Sequence, residues 1–127
     1  MTGYFVSIAR TSKNLTAKER ILLKDTTSAL KLDEVTQVEP IIIKLSMWAE
    51  LDIHNEMSDN KDYKNYILVD EDGTKYVTGS SSFWSSFMDI VDEITDMEAD
   101  GEEWALKVYR MDSKNYKGKQ FITCSIV

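Results

Sequence analysis

Near the end of the chain, cations and aromatic side chains alternate with apolar ones. Over residues 104–111, Trp104, Leu106 and Val108 share one parity, and Lys107, Tyr109 and Met111 share the other. Over 119–127, Ile122, Cys124 and Ile126 alternate with Phe121, Thr123 and Ser125. Successive side chains of a strand point to opposite faces, so the pattern predicts two strands that bury one face and expose the other. Asp112-Ser113-Lys114-Asn115-Tyr116-Lys117-Gly118 lies between them as a polar turn, giving a closing β-hairpin. The exposed face then carries Lys107, Tyr109, Lys119 and Phe121, with Lys114, Tyr116 and Lys117 in the turn and Arg110 as a further cation. Bases stack on aromatic rings and phosphates pair with cations, so such a face suits a single-stranded nucleic acid. Lys44 and Trp48, on the polar parity of an upstream strand, join the same candidate set. The competing reading is that Tyr109 and Phe121 pair across strands and only stabilise the hairpin, at about 0.2–1 kcal/mol.

Other chemistry is poorly provided for. His54 is the only histidine, which excludes a histidine-rich metal site and a histidine pair for acid–base work; it reads as a solvated strand position. Cys124 falls on the inferred core face, where a thiol behaves as a small hydrophobe and not as a nucleophile. Asp70-Glu71-Asp72-Gly73 is acidic, but it lacks the spaced ligands and terminal glutamate of a calcium loop and reads as a hairpin turn. There is no glycine-rich phosphate loop, no nucleophile elbow and no zinc spacing. The expectation is a non-enzyme with no cofactor and no metal.

The elements that position these residues are legible to different degrees. Thr16-Ala17-Lys18-Glu19 matches a capping box and predicts a short helix over 17–24. An arm that folds onto a partner is the alternative for this basic N-terminal segment. Residues 26–32 suggest a strand. Over 41–54 Ile41, Ile43, Leu45, Met47, Ala49, Leu51 and Ile53 keep one parity, and Ile42, Lys44, Ser46, Trp48, Glu50, Asp52 and His54 the other. An unbroken alternation of that length predicts one long strand, bent around the core as in small barrels. Pro40 precedes it, where a missing N–H costs no ladder bond. Residues 55–63 read as a loop, and 66–69 and 74–78 as a hairpin closed at Asp72-Gly73. Phe83, Trp84, Phe87, Met88, Ile90, Val91, Ile94 and Met97 then recur at helical spacing, predicting a helix over 82–97 with a serine cap and Gly101 beyond its end. Its aromatic and methionine stripe reads as core packing.

About five strands with one helix before the closing hairpin is the plan of a mainly β, OB-fold-like barrel. An α+β sandwich, with the helix on one face of an antiparallel sheet, is the alternative. One domain over 1–127 is expected, with a basic segment at 1–32 ahead of an OB-like core at 39–127. The 127 residues, 43% hydrophobic, are enough for one core. No apolar run approaches membrane-spanning length, no basic region precedes the first apolar run, and a single cysteine excludes an internal disulfide. A cytoplasmic location without membrane contact is expected. The net charge of −7 is unevenly spread. Residues 1–32 carry six basic groups against Glu19 and Asp25, and residues 104–127 five against Asp112; residues 33–103 carry nineteen acidic groups against four lysines. Local patches decide contacts within a Debye length of about 8–10 Å, so a basic surface survives in an acidic protein.

Three stretches together resemble small bacteriophage single-stranded-DNA-binding proteins. They are Asp72-Gly73-Thr74-Lys75-Tyr76, Thr78-Gly79-Ser80 ahead of the aromatic helix, and Lys107-Val108-Tyr109-Arg110 with Ser113 to Lys119 and Phe121-Ile122-Thr123-Cys124. The resemblance covers about 39–127 and is one of pattern and length, without a diagnostic motif. It implies an OB-type fold, no catalysis, and single-stranded DNA as partner in phage DNA replication or recombination within the host cytoplasm. Phage or host replication and recombination proteins are further partners it implies, and a homo-oligomer is left open. Many such proteins end in an acidic recruiting tail, whereas this sequence ends within a strand pattern, so tail-mediated recruitment is not expected. The alternative function is an acidic interaction module, in which Asp89, Asp92, Glu93, Asp96, Glu98, Asp100, Glu102 and Glu103 imitate phosphates to a host nucleic-acid enzyme.

Overall fold

The apolar alternation over 41–54 is continuous, but the strand is interrupted at Lys44 and its two parts belong to different sheets. The computed structural model describes residues 3–12, 15–97, 104–113 and 118–127, with backbone only at 95–97. Its strands are β1 (Tyr4–Thr11), β2 (Leu30–Lys31), β3 (Ile41–Ile43), β4 (Leu45–Asn55), β5 (Asp62–Asp70), β6 (Lys75–Thr78), β7 (Leu106–Asp112) and β8 (Gln120–Ile126). Helices are α1 (Ala17–Lys24), the single turn α2 (Leu32–Val35) and α3 (Ser81–Met97). Five strands form one sheet in the order β1-β4-β5-β6-β2, and three form another in the order β3-β7-β8. The fold is mainly β with one main helix, as expected. Among the described residues neither sheet closes on itself, so the expected OB-like barrel is corrected to two open sheets. Alternation reports which face of a strand is buried and says nothing of which strand lies at its edge, so it cannot show that a continuous run changes sheets.

The chain divides into two compact units, residues 1–31 with 46–79, and residues 32–45 with 80–127. In the first, Met47, Ala49, Leu51 and Ile53 of β4 and Ile67 and Val69 of β5 pack with Leu23 of α1, and Val6 and Ile8 of β1 join them. The N-terminal segment is thus built into a sheet: β1 runs antiparallel to β4, from Tyr4 opposite Asn55 to Thr11 opposite Ala49, with a bulge between Ile8 and Arg10. The capping box forms as the sequence predicts. Glu19 N donates to Thr16 Oγ1 (3.2 Å), and Thr16 N donates to Glu19 Oε1 (2.9 Å). At the far end of α1, Lys75 Nζ donates to the Asp25 carbonyl (2.6 Å) and to that of Leu22, which also accepts from Asp25 N (3.3 Å). The expected strand at 26–32 is only the two residues of β2, parallel to β6. The expected 66–78 hairpin is β5–β6, turning through Gly73 at φ +91°, and β5 starts within the stretch read as a loop.

In the second unit α3 buries Phe83, Trp84 and Phe87 and packs against β8. Ser80 Oγ caps it by accepting from Phe83 N (3.2 Å). β7 and β8 pair from Leu106 opposite Ile126 to Asp112 opposite Gln120. β3 adds to the other edge of β7, with Ile42 opposite Lys107. No described helix is long and apolar enough to cross a membrane.

Thr16→Ala removes one half of the capping box and is expected to destabilise the first unit by about 0.5–2 kcal/mol. Urea unfolding followed by far-UV circular dichroism checks this.

Candidate nucleic-acid interface

Register decides which side chains of the three-stranded sheet meet. Val108 faces Cys124 and Arg110 faces Ile122, while Tyr109 faces Thr123 and Met111 faces Phe121. Leu106, Val108, Ile122 and Cys124 are buried on one face. The opposite face presents Ile42, Lys107, Tyr109, Met111 and Phe121. Ile42 is 51% exposed, Met111 44% and Phe121 38%, so this face lies open to solvent. Tyr109 and Phe121 are diagonal neighbours across the β7–β8 ladder, within mutual reach for aromatic side chains. Lys107 Nζ sits 5.5 Å from the Tyr109 ring centroid, which places a cation over an aromatic face on the same surface.

The sequence-predicted site residues divide into four groups. Lys107, Tyr109 and Phe121 come together on the open face as expected. Lys119 is exposed just before β8, and its carbonyl accepts from Ser113 N (2.8 Å) across the turn; Lys44 is exposed in the link between β3 and β4. Lys114, Tyr116 and Lys117 lie outside the described residues. Arg110 and Trp48 are placed elsewhere. Arg110 has the parity of Leu106 and Val108, its Nη2 donates to the Asp33 carbonyl, and its Nε is buried with no partner among the described residues. Trp48 belongs to the first unit, where it is buried with the Arg10 guanidinium 5.9 Å from its ring centroid. The parity that puts Trp48 among polar neighbours therefore does not make it a surface residue. Ile42 was missed as a member of the open face. Its position on the polar parity of the 41–54 run was the available signal, and its pairing with Lys107 needed the sheet.

The other charged cluster is on the first unit. His54 Nδ1 is 2.7 Å from Asp62 Oδ1, its Nε2 is 2.5 Å from Glu56 Oε1, and the Phe5 ring stacks on it at 5.0 Å between centroids. Lys64 Nζ bridges Glu50 (2.9 Å) and Asp52 (2.6 Å). The two carboxylates sit on opposite ring nitrogens, so they do not converge with the imidazole on one point. No group of described residues could hold a metal ion. Hydrogen bonds to Asp62 and then to Glu56 hold the His54 pKa above its ordinary value, and the bonds from His54 and Lys61 hold that of Glu56 below its own. Burial pushes the Cys124 thiol up to about 12, so it stays a protonated core group at neutral pH.

No known protein family, no curated protein and no solved structure matches the chain.

A raised folded pKa means that the stabilisation from His54 is fully present below its unfolded value, near 6.5, and is lost as pH rises through the higher folded value. Thermal unfolding between about pH 6 and 9 should show a falling midpoint for the wild type. His54→Gln should flatten this dependence, because it removes the titrating group.

Proposed function

We propose that the open face of β3, β7 and β8 binds single-stranded DNA without sequence preference and without catalysis. Supporting this above all is the register that sets Tyr109 and Phe121 on one solvent-exposed sheet face beside Lys107. Among the described residues no ring contact covers either aromatic from outside. Every base has a π-face, so a stacking platform tolerates sequence, and each stacked base is worth about 1–3 kcal/mol. Ile42 and Met111 extend the apolar surface at the rim. Lys107 and Lys119, with Lys44 and the turn lysines Lys114 and Lys117, supply phosphate contacts whose strength falls with salt. The resemblance to small phage single-stranded-DNA-binding proteins supports the same reading. It adds the setting of phage DNA replication or recombination in the host cytoplasm.

A second reading rests on α3, where Asp89, Asp92 and Glu93 are exposed. No salt bridge among the described residues neutralises them, so this face could offer phosphate-like charge to a basic protein.

Anisotropy of labelled oligo(dT) at low and moderate salt tests the first reading. Saturable, salt-weakened binding is expected, and Tyr109→Ala or Phe121→Ala should each weaken it about tenfold or more with unchanged circular dichroism. Unchanged affinity in both variants removes the platform. Lys119→Glu should also weaken DNA binding, whereas under the second reading it leaves partner binding intact and Asp92→Lys abolishes it.

A further inference from the structure

The first unit holds a site that the DNA reading leaves unused. β1 is a terminal strand of the five-stranded sheet, with β4 on one side and, among the described residues, no strand on the other. Terminal strands usually carry a defence against further pairing, such as a bulge, a charge or a short length. Here the bulge and Arg10 come late in the strand. From Tyr4 to Ile8 the ladder to β4 is regular, opposite Asn55 to Leu51, so this stretch carries no bulge, and no described strand pairs with its outer edge.

Beside that edge lies an open cleft of about 430 Å³, lined by Ser7, Ile8, Ala17, Arg20, Ile21 and Lys24. Ser7 and Ile8 are consecutive and point to opposite faces, so a cleft that touches both runs along the strand's edge. Its chemistry is cationic and aliphatic. Arg20 and Lys24 stand four residues apart on α1, a like-charge pair that weakens a helix when nothing lies between them. The nearest acids in sequence, Glu19 on α1 and Asp25 just after it, have hydrogen-bond partners of their own. Glu19 is used in the capping box, and Asp25 accepts from the Thr27 hydroxyl and amide. No salt bridge of Arg20 or Lys24 occurs among the described residues. Ile21, between them in sequence, is 68% exposed. The cleft has no aromatic lining, so it lacks what a base would stack on. On the other face of β1, Phe5 is 59% exposed.

The geometry points to a partner protein segment that is extended and alternately acidic and apolar, adding as a strand to the free edge of β1. Main-chain hydrogen bonds to the edge supply affinity, and alternate side chains supply specificity. Residues facing α1 place carboxylates on Arg20 and Lys24, and those on the opposite face lie against Phe5.

The probe is a fluorescein-labelled peptide alternating glutamate and valine over about ten residues, titrated by anisotropy with the full chain. Saturable binding below about 1 mM, weakened by salt, is expected. A lysine–valine peptide should not bind. Arg20→Glu with Lys24→Glu should weaken binding about tenfold or more at unchanged circular dichroism. Methylating alternate backbone nitrogens of the peptide should abolish binding to the wild type, because strand addition needs those donors. Tyr109→Ala should leave peptide binding unchanged, which separates this site from the DNA platform. No saturation by about 1 mM, equal binding of the methylated peptide, or displacement of the peptide by oligo(dT) would each overturn the assignment.

Discussion

The period-two geometry of the β7–β8 ladder is the constraint on which the candidate interface depends. Val108 can be buried opposite Cys124 only if Tyr109 and Thr123 point the other way. A slip of one residue would drive Lys107 and Tyr109 into the core and expose Leu106 and Val108, at a cost of several buried aliphatic side chains of about 1.5–3 kcal/mol each. The apolar parity therefore holds the functional parity in place without any contact to it. α3 contributes by packing its Phe83, Trp84 and Phe87 stripe in the same unit and against β8, which leaves the opposite sheet face uncovered.

The two units handle charge differently. In the first, each cation along β4 and β5 is held by two carboxylates: His54 by Asp62 and Glu56, Lys64 by Glu50 and Asp52. These pairs are largely solvent-exposed, so each adds little stability, and with two carboxylates to each cation the cluster stays net acidic. The α1 cleft and the open face of the second unit's sheet are where cations stand beside apolar surface instead of beside carboxylates. A net charge of −7 thus says little about what either surface binds, because screening confines each field to its own neighbourhood.

Local signals carried over well where a few neighbouring residues suffice. The capping box at Thr16 and Glu19, the serine cap of α3, the Asp72-Gly73 turn and the hairpin parities depend on near neighbours or a two-residue period, and all appear as read. Side-chain placement was harder. Trp48 and Arg110 had the right types and, for Trp48, the polar parity, yet one is buried in the first unit and the other reaches the Asp33 carbonyl. Parity tells one face of a strand from the other; burial depends on what covers that face.

By itself the sequence determined the helices at 17–24 and near 82–97, the two hairpins, and the face shared by Lys107, Tyr109 and Phe121, because each follows from side-chain periodicity and short-range caps. Only the tertiary structure decided that the 41–54 run parts at Lys44 into strands of two open sheets, that β1 is the terminal strand of one sheet among the described residues, and that Ile42 sits beside Lys107. Those outcomes rest on which strand edges hydrogen-bond to which. Backbone N–H and C=O groups are nearly the same at every residue, so that choice leaves no mark in a single sequence.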